Sequence, residues 1–326
     1  MTKRLALLPI LLCTLATAGA QGPNNSGTYY SSADGKKGTA LKTALFNIIK
    51  NPSTTSYSGL YTAYYQTDVR DDGMLWDMYS TANFTIGADE NHTGGVKSEG
   101  ISYNREHSLP KSWFNSAKPM YQDVVHVIPT DSYVNEKRGN LPYGEVKTPD
   151  YASNDSLSKR GLCDPSIGYS GKVFEPNDEY KGDFARIYFY MATCYENKIG
   201  SWSGEMLAGN SYPAFNTWAL NMLLRWAEND PVSDKELDRN EACYQVQNNR
   251  NPFVDYPGLE QYIWGSKKDK AFSYDDFDND TPTYIVVVDV EPMSEQPVYN
   301  MSGQRVDDRQ ARHGVYIKGG RKFLVK

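Results

Sequence analysis

Cysteine is scarce: four in 326 residues, and Cys13 lies in an N-terminal apolar run. Cys163, Cys194 and Cys243 are widely spaced with no CxxC pair, so at most one intrachain bridge can close and a small disulfide scaffold is excluded. Histidine is equally sparse, with His92, His107, His126 and His313 showing neither HExxH nor any paired spacing expected of a zinc hydrolase. An excess of basic charge is missing too: 34 Lys and Arg stand against 40 Asp and Glu, a formal charge of −6, which argues against a passive nucleic-acid coat. Long hydrophobic runs are absent except for residues 5–20, which follow Thr2-Lys3-Arg4 and end Ala18-Gly19-Ala20. That run is too short to cross a bilayer and reads as a cleaved secretory signal over residues 1–20, with a mature start near Gln21 and no membrane span. Without Lys3 and Arg4, 32 basic residues face 40 acidic ones, a formal charge of −8.

What is present is a globular composition, 39% hydrophobic and 23% charged, with 25 Tyr among the aromatic residues. Leu41, Ala44, Leu45, Ile48 and Ile49 repeat at helical spacing behind Thr39, a candidate N-cap. Asp71-Asp72-Gly73 reads as a turn into a strand over residues 74–79. Phe184, Ile187, Tyr188 and Met191 mark one later helix, and Phe215, Trp218, Ala219, Met222, Leu223 and Trp226 another, whose period assigns both Trp to core packing. Ser233 with Glu236 has the form of a capping box opening a helix toward Gln247. The predicted fold class is α+β, in four segments: signal 1–20, main domain 21–265, an acidic linker 266–297 and a small all-β tail 298–326. The Asp276, Asp278, Asp280 alternation in the linker lacks the Gly and distal Glu of an EF-hand, so it reads as a solvated acidic stretch.

The densest polar stretch, residues 104–144, contains NREHSLPKSWF and then DVVHVIPTDSYVNEKRGNLPYGEV. Residues 124–128 read as a strand ended by Pro129, with Thr130 or Asp131 capping a short helix over 132–137. A hairpin with that helix packed back across it would bring Glu106, His107 and Asn135 to one point. Hydrolysis of a phosphodiester needs a neutral base beside a water, a hard cation on the phosphate, and positive charge near the leaving oxygen. His107 is the natural base, while the Glu106 carboxylate and Asn135 amide oxygen are hard ligands suited to magnesium or calcium. Neighbouring strand residues face opposite ways, so Glu106 and His107 share a site only if the strand bends or ends there, as Pro110 suggests.

These residues resemble the endonuclease I family, secreted and periplasmic non-specific nucleases with a ββα-metal (His-Me finger) site. The resemblance spans most of residues 40–265. The REH triplet followed by Pro110, and the block D-x-x-H-x-x-P-x-x-x-x-V-N-x-x-R-x-N, are similar to the family's two central motifs. Phe174-Glu175-Pro176, Lys181-Gly182-Asp183 and Ala185-Arg186 look like its next segment, and Asn249-Arg250-Asn251-Pro252-Phe253 its last. The resemblance implies His107 as general base, Glu106 and Asn135 as ligands of a divalent metal (magnesium first, with calcium and manganese as alternatives), and Arg138 and Arg186 as phosphate contacts. It implies a monomeric enzyme acting on DNA, and RNA as a second substrate, to give 5′-phosphate products, and located outside the cell, at its surface or in the periplasm. The several disulfides common in extracellular members cannot form here. The glycine-spaced strands ending Lys322-Phe323-Leu324-Val325-Lys326 look like the C-terminal sorting tails of type IX secretion cargo, which implies the outer-membrane secretion machinery as a partner.

Two other classes compete. An inactive surface-binding protein on a nuclease-like fold has no need of Glu106, His107 and Asn135 together, and a zinc hydrolase would not select an amide ligand. His126, between two valines, reads as a structural histidine held by backbone. Asn140 is within reach of the site by sequence but reads first as a cap on the helix end after Gly139, and Arg250 and Asn251 read as residues that pin a loop.

Overall fold

The computed structural model describes residues 21–277 in full and, beyond them, four short strands of the tail as backbone. The expected signal 1–20 and the acidic stretch from Asp278 to the first tail strand lie outside the described residues. The chain divides into two units, one ending at Phe277 and one covering the rest.

In the first unit the centre is a helix with almost no polar face. Helices α1 (Gly38–Ile49) and α2 (Gly59–Thr67) come first, α3 (Ser132–Arg138) lies mid-chain, and α4 (Lys181–Cys194) buries every residue except Lys181. Its buried charged members, Asp183 and Arg186, are paired with Lys235 and Glu236. Around it pack α1, α6 (Thr217–Asn229) and the short α8 (Pro252–Asp255), with α5 (Glu196–Ile199), α7 (Asp234–Gln247) and α9 (Leu259–Ile263) completing the helical half. The spacing that predicted α1 and α6 is realised in the buried sets Leu41, Leu45, Ile49 and Ala219, Met222, Leu223, Trp226. Trp226 is buried, and Trp218 is half-buried and stacked on Tyr169. Helix α1 starts earlier than Thr39 implied, at Gly38, and no side chain caps it. The Ser233–Glu236 capping box is present in both directions. Cys163, Cys194 and Cys243 are all buried and free.

Two small antiparallel sheets lie on the other side: β1 (Tyr103–His107) with β2 (Val127–Asp131), and β3 (Val146–Ala152), β4 (Lys159–Cys163) and β5 (Lys172–Glu175) in that order. The strand expected to stop before Pro129 instead runs through it, Pro129 pairing with Arg105. A two-stranded sheet leaves each strand one unpaired edge, where proline's missing N–H costs nothing. The start of the expected strand is a turn whose polar groups are met by side chains: Arg239 donates to the carbonyls of Val124 and Val125, and Gln247 accepts from the Val124 amide. Residues 74–79 form isolated bridges rather than a strand, because the Asp77 carboxylate takes the amides of Tyr79 and Asp131 that a ladder would need.

Residues 266–277, expected to begin the linker, belong to this unit. Phe272 is buried, exchanges backbone hydrogen bonds with Gly35 and Lys36, and packs with Phe277 around Tyr256. Two isolated aromatics have no periodicity, so the charged text around them dominated the sequence reading. The second unit contains β6 (Val298–Asn300), β7 (Arg305–Val306), β8 (Gly314–Lys318) and β9 (Arg321–Val325), antiparallel in the order β7-β6-β8-β9.

One buried acid carries a stability prediction. Glu260 in α9 is 3% exposed with Oε2 unpartnered among the described residues, and burial pushes its carboxyl up to about 7. A raised acid favours the folded state fully below its unfolded value and loses that contribution as pH climbs through the folded one. Between pH ~4.5 and ~7 the loss is on the order of 3 kcal/mol. Urea denaturation at pH 5 and pH 8 should show Glu260→Gln flattening the fall in stability seen in the parent. Identical curves would mean that Glu260 finds a partner.

Candidate active site

The site is built on β1, β2 and α3. Asp131 ends β2 and caps α3, accepting from the Tyr133 and Val134 amides at 2.8 and 3.1 Å, so the helix turns back across β1 at once. Gly139, at φ +59, then ends it in a conformation open to glycine. Asn104 and Glu106 lie two apart on β1, and Asn135 and Arg138 three apart on α3, so each pair shares a face. They meet as two rungs. Asn135 Nδ2 donates to Asn104 Oδ1 at 2.7 Å, and Arg138 Nη1 donates to Glu106 Oε1 at 2.6 Å.

The second rung is locked from behind. Arg138 also donates to the carbonyls of His107 and Ser108 at 2.9 and 2.7 Å, and its guanidinium lies 4.9 Å from the Tyr143 ring centroid. Tyr79 donates to Glu106 Oε1 at 2.9 Å and bonds Tyr143 at 2.7 Å. Both side-chain hydrogen bonds to Glu106 among the described residues therefore fall on Oε1. Burial raises the Glu106 carboxyl above its ordinary range, opposed by Arg138 and Tyr79.

Strand β1 ends at His107, which is how Glu106 and His107 come to line the same cleft of about 570 Å³. The imidazole packs against Tyr121, centroids 4.9 Å apart, and its Nε2 lies 3.1 Å from the Tyr121 carbonyl. A carbonyl only accepts, so Nε2 carries the proton and Nδ1 the lone pair. Burial, with His126 nearby, holds the ring well below the ordinary histidine range and therefore neutral. His126 repeats the arrangement one residue earlier, Nε2 donating to the Met120 carbonyl at 2.6 Å, but it is fully buried and its Nδ1 is sealed without a partner. It is structural, as its place between valines suggested.

Glu106, His107 and Asn135 are thus brought together in one cleft, with Arg138 behind Glu106. Arg138 is 1% exposed and committed to Glu106 and two carbonyls, so it positions the carboxylate instead of presenting a free guanidinium to phosphate. Arg186 is not brought to the cleft at all: it is buried in α4 with Nε and Nη2 on the two Glu236 oxygens and Nη1 on the Asp230 carbonyl. Asn140 lines the cleft, Gly139 having taken the cap role expected of it. His92 pairs with Glu90 at 2.9 Å. Arg250 and Asn251 pin their loop, Arg250 through Asp255 and Asn251 by capping α8.

The sequence reading missed Asn104, Tyr79 and Tyr143. Asn104 was within reach, since strand period places it on the face of Glu106. The tyrosines had no local signal, as Tyr79 and Tyr143 lie 64 residues apart.

The donor set suits a hard divalent cation. Glu106 Oε2 and Asn135 Oδ1 take no side-chain hydrogen bond among the described residues, while their sister atoms are fixed by Arg138, Tyr79 and Asn104. No group of three or more His, Cys, Asp or Glu among the described residues could hold a metal, so a cation here would rest on one carboxylate, one amide and water. That is the chemistry of magnesium or calcium, not of zinc.

The chain is 36% identical over 244 residues to an extracellular ribonuclease of Bacillus amyloliquefaciens, covering 73% of this chain and 78% of the relative. It is 35% identical over 247 residues to an extracellular ribonuclease of Bacillus subtilis, covering 74% and 79%. It is 25% identical over 137 residues to Endonuclease-1 of Buchnera aphidicola from Acyrthosiphon pisum, covering 42% and 46%. The family model for endonuclease I matches residues 37–258, a span holding β1, β2, α3 and the buried helix behind them, and the chain accordingly belongs to the endonuclease I family of nucleases.

Proposed function

We propose that the cleft hydrolyses the phosphodiester backbone of RNA and DNA with little sequence preference, and that β1, β2 and α3 form a ββα-metal unit. The observation that carries this reading is the neutral His107 ring, its Nε2 tied to a backbone carbonyl and its Nδ1 without a side-chain or backbone partner among the described residues, in one cleft with the Glu106 carboxylate and the Asn135 amide, whose far atoms are fixed by Arg138 and Asn104. A divalent cation held by Glu106 and Asn135, magnesium first with calcium or manganese as alternatives, would supply Lewis acidity toward a phosphate oxygen.

His107 Nδ1 accepts a proton from water as the water oxygen bonds to phosphorus. The bond from phosphorus to the 3′ oxygen breaks, and that oxygen is protonated from solvent, leaving 5′-phosphate and 3′-hydroxyl ends. The Tyr121 carbonyl steadies the imidazolium formed, and Arg138 and Tyr79 keep Glu106 oriented throughout. Sequence preference is weak because α3 has seven residues and spends its inner face on β1, so the cleft reads backbone and not base edges. The ribonuclease names of the relatives near 36% identity support RNA as a substrate, and the Endonuclease-1 name of the other supports the wider activity.

Incubating the protein with plasmid and with total RNA, in magnesium or in EDTA, tests this. Cleavage of both in magnesium and of neither in EDTA is the expected result. No cleavage with magnesium, calcium or manganese would end the proposal. The leader-like residues 1–20 and the extracellular relatives support a secreted enzyme, its destination being the cell surface, medium or periplasm. The tail strands are proposed as a sorting signal read by outer-membrane secretion machinery, so a chain truncated after about residue 283 should keep its specific activity and melting temperature but be retained in the periplasm.

A further inference from the structure

The proposed reaction needs positive charge on the phosphate, and the two arginines expected to supply it are committed elsewhere. Three other cationic or potentially cationic side chains line the cleft besides His107 and Arg138. Arg105 is held between aromatic rings, its guanidinium 3.7 Å from the Tyr57 centroid and 4.2 Å from that of Tyr61, and it donates to the Tyr57 carbonyl. His92 is paired with Glu90. Lys111 alone among these described residues has neither an ion pair nor a side-chain hydrogen bond; its ammonium lies 5.8 Å from the Tyr121 ring centroid.

The backbone beneath Lys111 is held although its side chain is exposed. It opens a short 3-10 helix, residues Lys111–Phe114, behind Pro110; Trp113 and Phe114 are buried, and the Lys111 carbonyl accepts from Ser116 at 2.8 Å. It lines the same cleft as Glu106 and His107, which places it beside base and ligand together. A mobile ammonium on a fixed stem suits a phosphate that gains charge during reaction, because three donors on a flexible chain can follow it.

We propose that Lys111 is a catalytic residue that contacts a non-bridging oxygen of the scissile phosphate and stabilises the charge that builds on it in the transition state. The assignment rests on the nuclease reading above. Lys111 keeps its proton throughout and changes no bond.

The test is steady-state cleavage of a short oligonucleotide by the full chain and by Lys111→Gln and Lys111→Arg, across a series of salt concentrations. Lys111→Gln should lower kcat/KM on the order of 100-fold, mainly through kcat, as loss of one transition-state donor does. The slope of log kcat/KM against log salt should become shallower by about one. Lys111→Arg should restore that slope and part of the rate, while melting temperature and magnesium affinity by calorimetry match the parent in both variants. A Lys111→Gln enzyme within about threefold of the parent at every salt concentration would overturn the assignment and leave the nuclease reading standing. Loss of magnesium affinity would overturn it too, by making Lys111 a structural support of the metal site. A parent that cleaves nothing would take both readings down.

Discussion

His107→Ala should cut turnover of plasmid DNA by ~100- to 10,000-fold, the usual cost of losing a general base, and leave magnesium binding in place. The split follows from geometry. The His107 ring meets its surroundings through packing on Tyr121 and one bond to a carbonyl, and among the described residues the ring shares no hydrogen bond with the groups proposed to hold metal, so removing it leaves their side chains in place. Glu106→Gln and Asn135→Ala act on those oxygens and should weaken magnesium binding and activity together. Glutamine is the better probe at 106, because alanine would strand the buried Arg138 guanidinium. Calorimetric titration of magnesium into the three variants, beside their turnover, separates the roles. Equal loss of magnesium affinity in His107→Ala would show that base and ligand have been exchanged.

Arg186→Ala should destabilise the fold by about 3–5 kcal/mol, the cost of stripping the partner from a buried charge. Its Nε and Nη2 lie 2.6 and 2.7 Å from the two Glu236 oxygens, and Nη1 lies 2.8 Å from the Asp230 carbonyl. Glu236 is also the reciprocal member of the Ser233 capping box, so the same cut loosens the start of α7. Against a total stability of about 5–15 kcal/mol this is a large fraction. Urea denaturation measures it, and Arg186→Met combined with Glu236→Gln should recover much of the loss by removing the stranded charge. An Arg186→Ala protein with unchanged stability but reduced turnover would instead return Arg186 to the role of a phosphate contact.

Much of this protein was legible locally. Periodicity located α1, α4 and α6 because a helix buries one face every 3.6 residues, and Ser233-x-x-Glu236 announced α7 because a capping box is closed within four residues. Glu106, His107 and Asn135 could be singled out for their chemistry, since a base and two hard oxygens are properties of side chains and not of their placement. What local text could not show was which polar groups are already spent. Arg138 and Arg186 read alike as free cations, yet each is consumed by a carboxylate 32 or 50 residues away. Lys111 carries no local mark of a role, and its availability appears only when the partners of Arg105, His92 and Arg138 are known. Likewise the tautomer of His107 depends on the Tyr121 carbonyl, 14 residues further along the chain. The amino-acid sequence by itself determined the helices and the chemical kinds of group in the site, because short-range spacing and side-chain chemistry are local. Which of those groups remain free to act was decided only by the tertiary structure, because hydrogen-bond and charge partners are chosen by distance in space.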